Sequence, residues 1–141
     1  MTSLQTVKKT AIELALIEME KAVLLPTHHH KVGASIYTKD STCYGGFNIQ
    51  NPSHKGYHAE EMAILCCYLS SVKPESVIGI IITTTFTDSE EGKYCFGCGH
   101  CLQMMWEYTR NPELLITIVN VNGEIVEEKK LGEVYPYPYP R

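Results

Sequence analysis

The sequence of 141 residues lacks any long apolar run and any internal repeat. No segment approaches the roughly 20 consecutive apolar residues that a membrane-spanning helix requires. The first twenty residues carry Lys8, Lys9, Glu13, Glu18 and Glu20, which interrupt the apolar stretch typical of a secretory signal peptide. We therefore expect a cytoplasmic protein that does not associate with membranes.

The sequence also lacks an excess of basic residues. Lys and Arg number 12 against 16 Asp and Glu, so that the net charge is −4, and the two signs are interspersed. A broad nucleic-acid interface would require a basic face, and we expect no nucleic-acid partner. Hydrophobic residues make up 44% of the chain, which excludes disorder as its main state. The length is that of one domain, predicted to span residues 1–141.

Six cysteines and six histidines are the unusual part of this composition. In a reducing compartment, clustered cysteines bind metal more often than they form disulfides. Cys66 and Cys67 are also adjacent in sequence, which makes them a poor disulfide pair. We therefore interpret the cysteines as free thiols, with Cys43, Cys66 and Cys67 as small buried hydrophobic residues.

Hydrophobic periodicity predicts alternating helices and strands. A helix capped by Ser3 or Thr2 should end before Pro26, and a hairpin should follow it. The further elements are helices over 58–69 and 98–109, strands over 77–85 and 114–120, and a short strand over 124–126. This order indicates an α/β domain with a mixed sheet between helices. The charged run 127–130 is interpreted as a solvated turn, and the Tyr-Pro tail 135–140 as either an extended arm or a frayed end.

Two short motifs carry the residues with reactive side chains. His58-Ala59-Glu60 begins one predicted helix, and Cys98-Gly99-His100-Cys101 begins another. Cysteines three residues apart lie on one side of a first helical turn. A helix N-terminus also favours the thiolate, through its free N–H groups and partial positive charge.

The donor types of these motifs suit zinc. His58, Cys98 and Cys101 would supply three ligands and leave a fourth position for water, as in catalytic zinc sites. Zinc lowers the pKa of its bound water to about 7, and Glu60 could accept and return the proton. His-x-Glu followed by Cys-x-x-Cys is the zinc deaminase signature. Two alternatives stay open: a structural zinc site without catalysis, and an iron–sulfur site that uses Cys95, Cys98 and Cys101.

These motifs resemble the small cytidine deaminase family from about Pro26 to Tyr139. The segments that carry the resemblance are Val32-Gly33-Ala34, Asn48-Ile49-Gln50-Asn51, His58-Ala59-Glu60 and Gly97-Cys98-Gly99-His100-Cys101-Leu102-Gln103. The resemblance implies a three-layer α/β/α sandwich with a mixed, mainly five-stranded sheet. It also implies hydrolytic deamination of cytidine or deoxycytidine with one zinc ion per subunit.

The resemblance further assigns individual residues. It implies that His58, Cys98 and Cys101 bind zinc and that Glu60 transfers protons. Asn48, Gln50, Ala59 and His30 would contact a small nucleoside substrate, and Tyr139 would reach a neighbouring subunit's pocket. It also implies a homo-oligomer, with a tetramer favoured and a dimer as the alternative.

Two departures from the family pattern concern the substrate. Gln50 stands where the family has Glu, and His30 replaces an aromatic residue near the base. An amide lacks the charge that strengthens a carboxylate contact with a ribose hydroxyl. The alternative is therefore a deaminase of another aminated heterocycle, and the related blasticidin S deaminases also lack this Glu. A non-catalytic metal-binding module is the alternative from a different functional class.

Overall fold

The computed structural model describes residues 3–53, 55–85 and 95–139. Its strands are β1 (Val32–Thr38), β2 (Cys43–Phe47), β3 (Val77–Thr84), β4 (Leu115–Val119) and β5 (Ile125–Lys130). Its α-helices are α1 (Leu4–Glu20), α2 (Ala59–Leu69), α3 (Gly99–Thr109) and the short α4 (Leu131–Val134). A single 3₁₀ turn, Pro74–Ser76, precedes β3. The predicted elements are thus confirmed, with boundaries shifted by a few residues.

The strands form one mixed sheet in the order β2-β1-β3-β4-β5. β1 and β2 are the predicted antiparallel hairpin, and β1 also pairs antiparallel with β3. β3 and β4 are parallel, with Gly79 opposite Leu115 and Thr83 opposite Val119. α3 lies in the connection between these two parallel strands, as such a crossover requires. β3 is buried on both faces, as its continuous run of Ile residues predicts.

Alternate strand residues pack against helices on opposite faces of the sheet. On one face, Val7, Ala11 and Ala15 of α1 pack with Tyr37, Ile81 and Val119. The other face is covered by α2 and α3, and its core includes Ala63, Ile64, Leu102 and Met105 together with Ile80, Ile82, Ile116 and Ile118. The predicted three-layer α/β/α sandwich is therefore confirmed.

Glycine at Gly46 allows α2 to lie close to the sheet. A Cβ atom at this position would be 2.3 Å from the carbonyl oxygen of Ala59 and 2.5 Å from the backbone nitrogen of Ala63. Any other residue would therefore push the first turn of α2 away from β2. Because His58 and Glu60 belong to this turn, Gly46 sets the position of one of the two motifs.

Two of the sequence predictions are wrong. Residues 127–130 do not form a solvated turn but belong to β5, the edge strand that pairs with β4. An edge strand exposes its side chains to water and so accommodates charges, and here Glu128 contacts Lys8 and Thr117. Cys66 is exposed rather than buried, because it lies on the outer side of α2, whereas Cys67 faces the core.

The described part of the Tyr-Pro tail is an arm that folds back onto α3. The hydroxyl of Tyr135 and the backbone N–H of Tyr139 both donate to Oε1 of Gln103. Within the described residues, no helix combines the length and the apolar character that crossing a bilayer would require.

Candidate active site

The two motifs meet at the N-termini of α2 and α3. His58 is the N-cap residue of α2 and Cys98 is the N-cap residue of α3, and both have extended backbone conformations. Neither side chain caps its own helix. Instead, Nδ1 of His58 lies 3.3 Å from Sγ of Cys98 and 3.3 Å from Sγ of Cys101. The two helix starts therefore direct three potential metal ligands to one point.

The spacing of these three atoms fits a tetrahedral zinc ion. All three ligand atoms lie within 4.8 Å of one another. With zinc–nitrogen and zinc–sulfur bonds of the usual lengths, ligand atoms at two corners of a tetrahedron are about 3.5–3.8 Å apart. One imidazole and two thiols are also the donor set that zinc accepts in catalytic sites. Among the described residues, the structure thus contains one group that fits a single zinc ion.

The burial of Cys101 disfavours a free thiolate but is compatible with a metal-bound thiolate. It is fully buried, and burial raises the pKa of its thiol far above the ordinary value, with a further increase from the nearby Glu60 and Cys98. A thiolate buried in this way needs a cation beside it, which a bound zinc ion would supply.

Glu60 lies in the first turn of α2 beside these ligands. It is 7% exposed and lines the cavity described below, and its Oε2 atom accepts a hydrogen bond from the thiol of Cys101 at 3.6 Å. His58 and Glu60 reach the same site, although they are two residues apart. They can do so because His58 is still outside the regular helix.

Glu61 is a site residue whose part in the site was not predicted from the sequence. Its Oε2 atom accepts the backbone N–H of His58 at 3.1 Å, and its Oε1 atom lies 3.4 Å from Nε2 of His100. Glu61 therefore links the start of α2 to the Cys98–Cys101 turn of α3. The signal for it was present in the sequence, since Glu three residues after an N-cap is the second half of a capping box.

A cavity of about 380 Å³ opens beside the three ligands and Glu60. Its other walls come from β1, β3 and the segment that follows β2, and they include Val32, Ile82, Tyr57 and Gln50. Most of the wall is apolar, with a few polar groups, as is usual for sites that bind small molecules. Cys95 and Gly97 line the same cavity just before α3, and Cys95 is exposed.

The cavity also brings together four of the predicted substrate contacts: His30, Asn48, Gln50 and Ala59. The amide of Asn48 makes two hydrogen bonds to the backbone, because Oδ1 accepts from Val32 and Nδ2 donates to His30. Asn48 thus positions the cavity wall at residues 30–32, and its contact with a substrate stays a prediction.

The contact of Tyr139 with a neighbouring subunit's pocket stays a prediction. Tyr139 does not line the cavity of its own chain, and its side chain is 81% exposed at the end of the described tail. His100, expected to be exposed, is exposed. His54 and most of the predicted loop 87–97 lie outside the described residues.

Comparison with protein families gives one match that covers most of the chain. Residues 5–116 match the family described as "Cytidine and deoxycytidylate deaminase zinc-binding region". The match includes both motifs, so it supports zinc as the cofactor of the site formed by His58, Cys98 and Cys101. A comparison with curated proteins finds no match.

Solved structures of cytidine deaminases share the fold. The enzyme from Burkholderia pseudomallei is 27% identical, with a TM-score of 0.78 over 92% of this chain and 97% of that chain. The enzyme from Mycobacterium tuberculosis is 20% identical, with a TM-score of 0.72 over 95% of this chain and 98% of that chain. The enzyme from Bacillus anthracis is 20% identical, with a TM-score of 0.63 over 96% and 88%.

Proposed function

Because this chain belongs to the cytidine and deoxycytidylate deaminase family, we propose that it hydrolyses cytidine or deoxycytidine to uridine or deoxyuridine and ammonia. The observation that carries the proposal is the convergence of His58, Cys98 and Cys101 beside the buried carboxyl of Glu60, at the wall of a cavity large enough for a small ligand. The family membership supports a zinc-binding deaminase, and the choice of substrate is our inference.

The chemistry needs a nucleophilic water and a group that moves protons. A zinc ion held by His58, Cys98 and Cys101 would acidify the water at neutral pH. Glu60 would accept the proton of that water and donate it to the ring nitrogen next to the amino-bearing carbon. A second proton transferred through Glu60 would accompany the departure of ammonia, so that one water molecule is consumed for each ammonia released.

The surroundings of Glu60 suit this proton transfer. It is almost completely shielded from bulk water, and its Oε2 atom lies 3.6 Å from Sγ of Cys101, close to the ligands. Glu60 also lines the cavity, together with His58 and Cys98, so a ring nitrogen of a heterocycle bound there could be reached. A carboxyl fixed by neighbours and buried beside a small cavity is a suitable acid and base.

An ultraviolet assay with cytidine and deoxycytidine, together with measured ammonia release, tests the proposal on zinc-loaded protein. The matched control is Glu60→Gln, which keeps the size of the side chain. We expect this variant to retain zinc and to lose roughly 10²–10⁴-fold in kcat. A zinc-loaded wild-type protein that deaminates neither nucleoside would contradict the proposed substrate.

The same experiment separates the alternatives. If blasticidin S or another aminated heterocycle is deaminated while cytidine and deoxycytidine are not, the chain is a deaminase with a different substrate. If the Glu60→Gln variant keeps its zinc and no compound of the panel is deaminated by the wild type, a non-catalytic metal-binding module is the better interpretation. Bound iron and sulfide would instead favour the cluster that includes Cys95.

We also propose that residues 1–141 form one catalytic domain. All five strands of the described residues belong to one sheet, which supports the single domain.

We further propose that the chain assembles into a homo-oligomer, with a tetramer favoured over a dimer. On α2, the neighbouring side chains of Leu65, Tyr68 and Leu69 are 36%, 54% and 87% exposed, which supports an interface. Light scattering after gel filtration measures the assembly, and a monomer at micromolar concentration would contradict it.

Tyr139 offers a functional test of the same assembly. Its exposed ring could reach the pocket of a neighbouring subunit, since its backbone alone is bonded to Gln103. The Tyr139→Ala variant should then raise KM while leaving zinc content unchanged. Unchanged kinetics would indicate a site that each subunit completes by itself. A place in pyrimidine salvage and the cytoplasmic location both stay predictions.

A further inference from the structure

The segment that follows β2 has a fixed backbone at the cavity wall. The N–H of Ile49 donates to Tyr57 and the N–H of Tyr57 donates to Ile49, at 2.9 and 2.8 Å. On its other side, the N–H of Val23 donates to Asn48 at 3.0 Å and the N–H of Gln50 donates to Val23 at 2.8 Å. The side chain of Gln50 therefore extends from a backbone segment that is hydrogen-bonded on both sides.

The backbone of Leu25 orients the side-chain amide of Gln50. Its Oε1 atom accepts the backbone N–H of Leu25 at 3.0 Å. Rotating the amide by half a turn would place the NH₂ group against that N–H, so that two donors would face each other. Oε1 of Gln50 is thus bonded to the backbone of Leu25, whereas the NH₂ group has no hydrogen-bond partner among the described residues. The NH₂ donor is therefore the group that a ligand can engage without competing with the backbone.

The neighbouring amide of Asn48 is bonded to the backbone through both its oxygen and its nitrogen. Its Oδ1 atom accepts from Val32 at 2.8 Å and its Nδ2 atom donates to His30 at 3.0 Å, and the residue is 8% exposed. A sugar hydroxyl bound at the NH₂ group of Gln50 would accept a hydrogen bond, and its own proton would then need a separate acceptor. A ligand oxygen without a proton has no such requirement.

We propose that Gln50 is a specificity-determining residue that donates a hydrogen bond to the substrate. The cavity would then favour an aminated pyrimidine whose ring substituent ends in an oxygen acceptor without a proton, with a carboxylate as the strongest form. The inference rests on the proposed deaminase function and names its substrate class: acceptor-bearing pyrimidines are preferred to those that present a hydroxyl.

Two matched compounds test this preference. One is cytosine with a carboxymethyl group on the ring nitrogen that bears the sugar in nucleosides, and the other carries a hydroxyethyl group there. Calorimetry on zinc-loaded protein gives their dissociation constants, and ammonia release gives kcat/KM. A hydrogen bond from the amide to a charged oxygen predicts roughly ten-fold tighter binding of the carboxymethyl compound.

The Gln50→Glu variant should reverse this order. One carboxylate oxygen of the new residue can still accept the N–H of Leu25, so that the local structure is kept. The other oxygen would repel the carboxymethyl compound and accept a hydrogen bond from the hydroxyethyl compound. The Gln50→Met variant removes both groups, and we expect it to bind the two compounds with similar affinity.

The outcomes separate the inference from the function on which it rests. Ammonia release from neither compound would count against deamination, while the dissociation constants would still decide the part played by Gln50. Tighter binding of the carboxymethyl compound, reversed by Gln50→Glu and abolished by Gln50→Met, would support the inference. Equal binding by the wild type, binding of neither compound, or the same order in all three proteins would overturn it.

Discussion

The start of α1 and the starts of α2 and α3 use the N-cap position in different ways. In α1, the hydroxyl of Ser3 accepts the N–H of Thr6 at 3.2 Å and so closes its own helix. In α2 and α3, His58 and Cys98 direct their side chains away from their own helices and toward each other. The same position thus stabilises the helix in one case and supplies metal ligands in the others.

The difference has a compensation in α2. Its first turn contains Glu60 and Glu61, whereas the first turn of α1 contains no acidic residue. Negative charge near a helix N-terminus is favourable, and the carboxylate of Glu61 also accepts the N–H of His58. In α2, the first turn thus replaces the contribution that the N-cap side chain does not make, whereas the first turn of α3 contains no acidic residue.

The largest expected effect follows from removing a ligand at such a helix start. The His58→Ala variant should lose zinc affinity by more than the 10–100-fold that loss of an outer-shell partner causes, because a direct ligand is gone. Chelator competition measures the affinity, and circular dichroism checks that helix content is kept. A variant that binds zinc as tightly as the wild type would contradict the assignment of His58.

The next effect concerns how each helix is held against the sheet. A Cβ atom at Gly46 would be 2.3 Å from the carbonyl oxygen of Ala59 at the start of α2, and one at Gly33 would be 2.0 Å from that of Ala15 in α1. We expect Gly46→Ala and Gly33→Ala each to lower the free energy of unfolding by about 1–3 kcal/mol or more.

The two glycine variants should differ in zinc binding. Gly46→Ala displaces the turn that carries His58 and Glu60, so its folded fraction should bind zinc more weakly. Gly33→Ala displaces α1, which carries none of the three ligands, and should leave zinc affinity unchanged. Titration under conditions where both variants are folded provides the measurement, and equal zinc affinities would show that the position of α2 does not control the site.

A smaller effect is expected when the compensation in α2 is removed. Glu61→Ala deletes the acceptor of the His58 N–H and the contact with His100, so zinc affinity should fall about ten-fold. Glu61→Gln keeps an oxygen that can accept the N–H and is the matched control. Identical zinc affinities for both variants and the wild type would leave Glu61 without a positioning function.

The smallest effect is expected at the cap of α1. Ser3→Ala should lower the free energy of unfolding by about 1 kcal/mol, because one helix N–H loses its acceptor. Zinc affinity should not change, since α1 lies on the opposite face of the sheet from α2 and α3. Chemical denaturation measures the first quantity, and a change in zinc affinity would show that the two faces are coupled.

The sequence predicted the elements whose signals are local. Ser3 as a cap, the hairpin of β1 and β2, and helices beginning near His58 and Cys98 follow from turn residues and from periodicity within each segment. The prediction failed for residues 127–130. Their charges indicated a solvated turn, but they form a strand because they pair with β4, and this pairing cannot be seen within the segment itself. It also failed for Cys66, because residue type alone does not give the side of the helix on which a thiol lies.

The sequence by itself determined the candidate donor set, since His58, Cys98 and Cys101 occur with Glu60 in two short motifs whose residue types and spacing suit zinc. Only the tertiary structure decided how close the ligand atoms lie, that Cys101 is buried, and that Oε1 of Gln50 accepts a hydrogen bond from Leu25. The reason is physical: a side chain's burial and hydrogen-bond partners depend on groups far away in sequence. Leu25, which orients Gln50, becomes its neighbour only when the chain has folded.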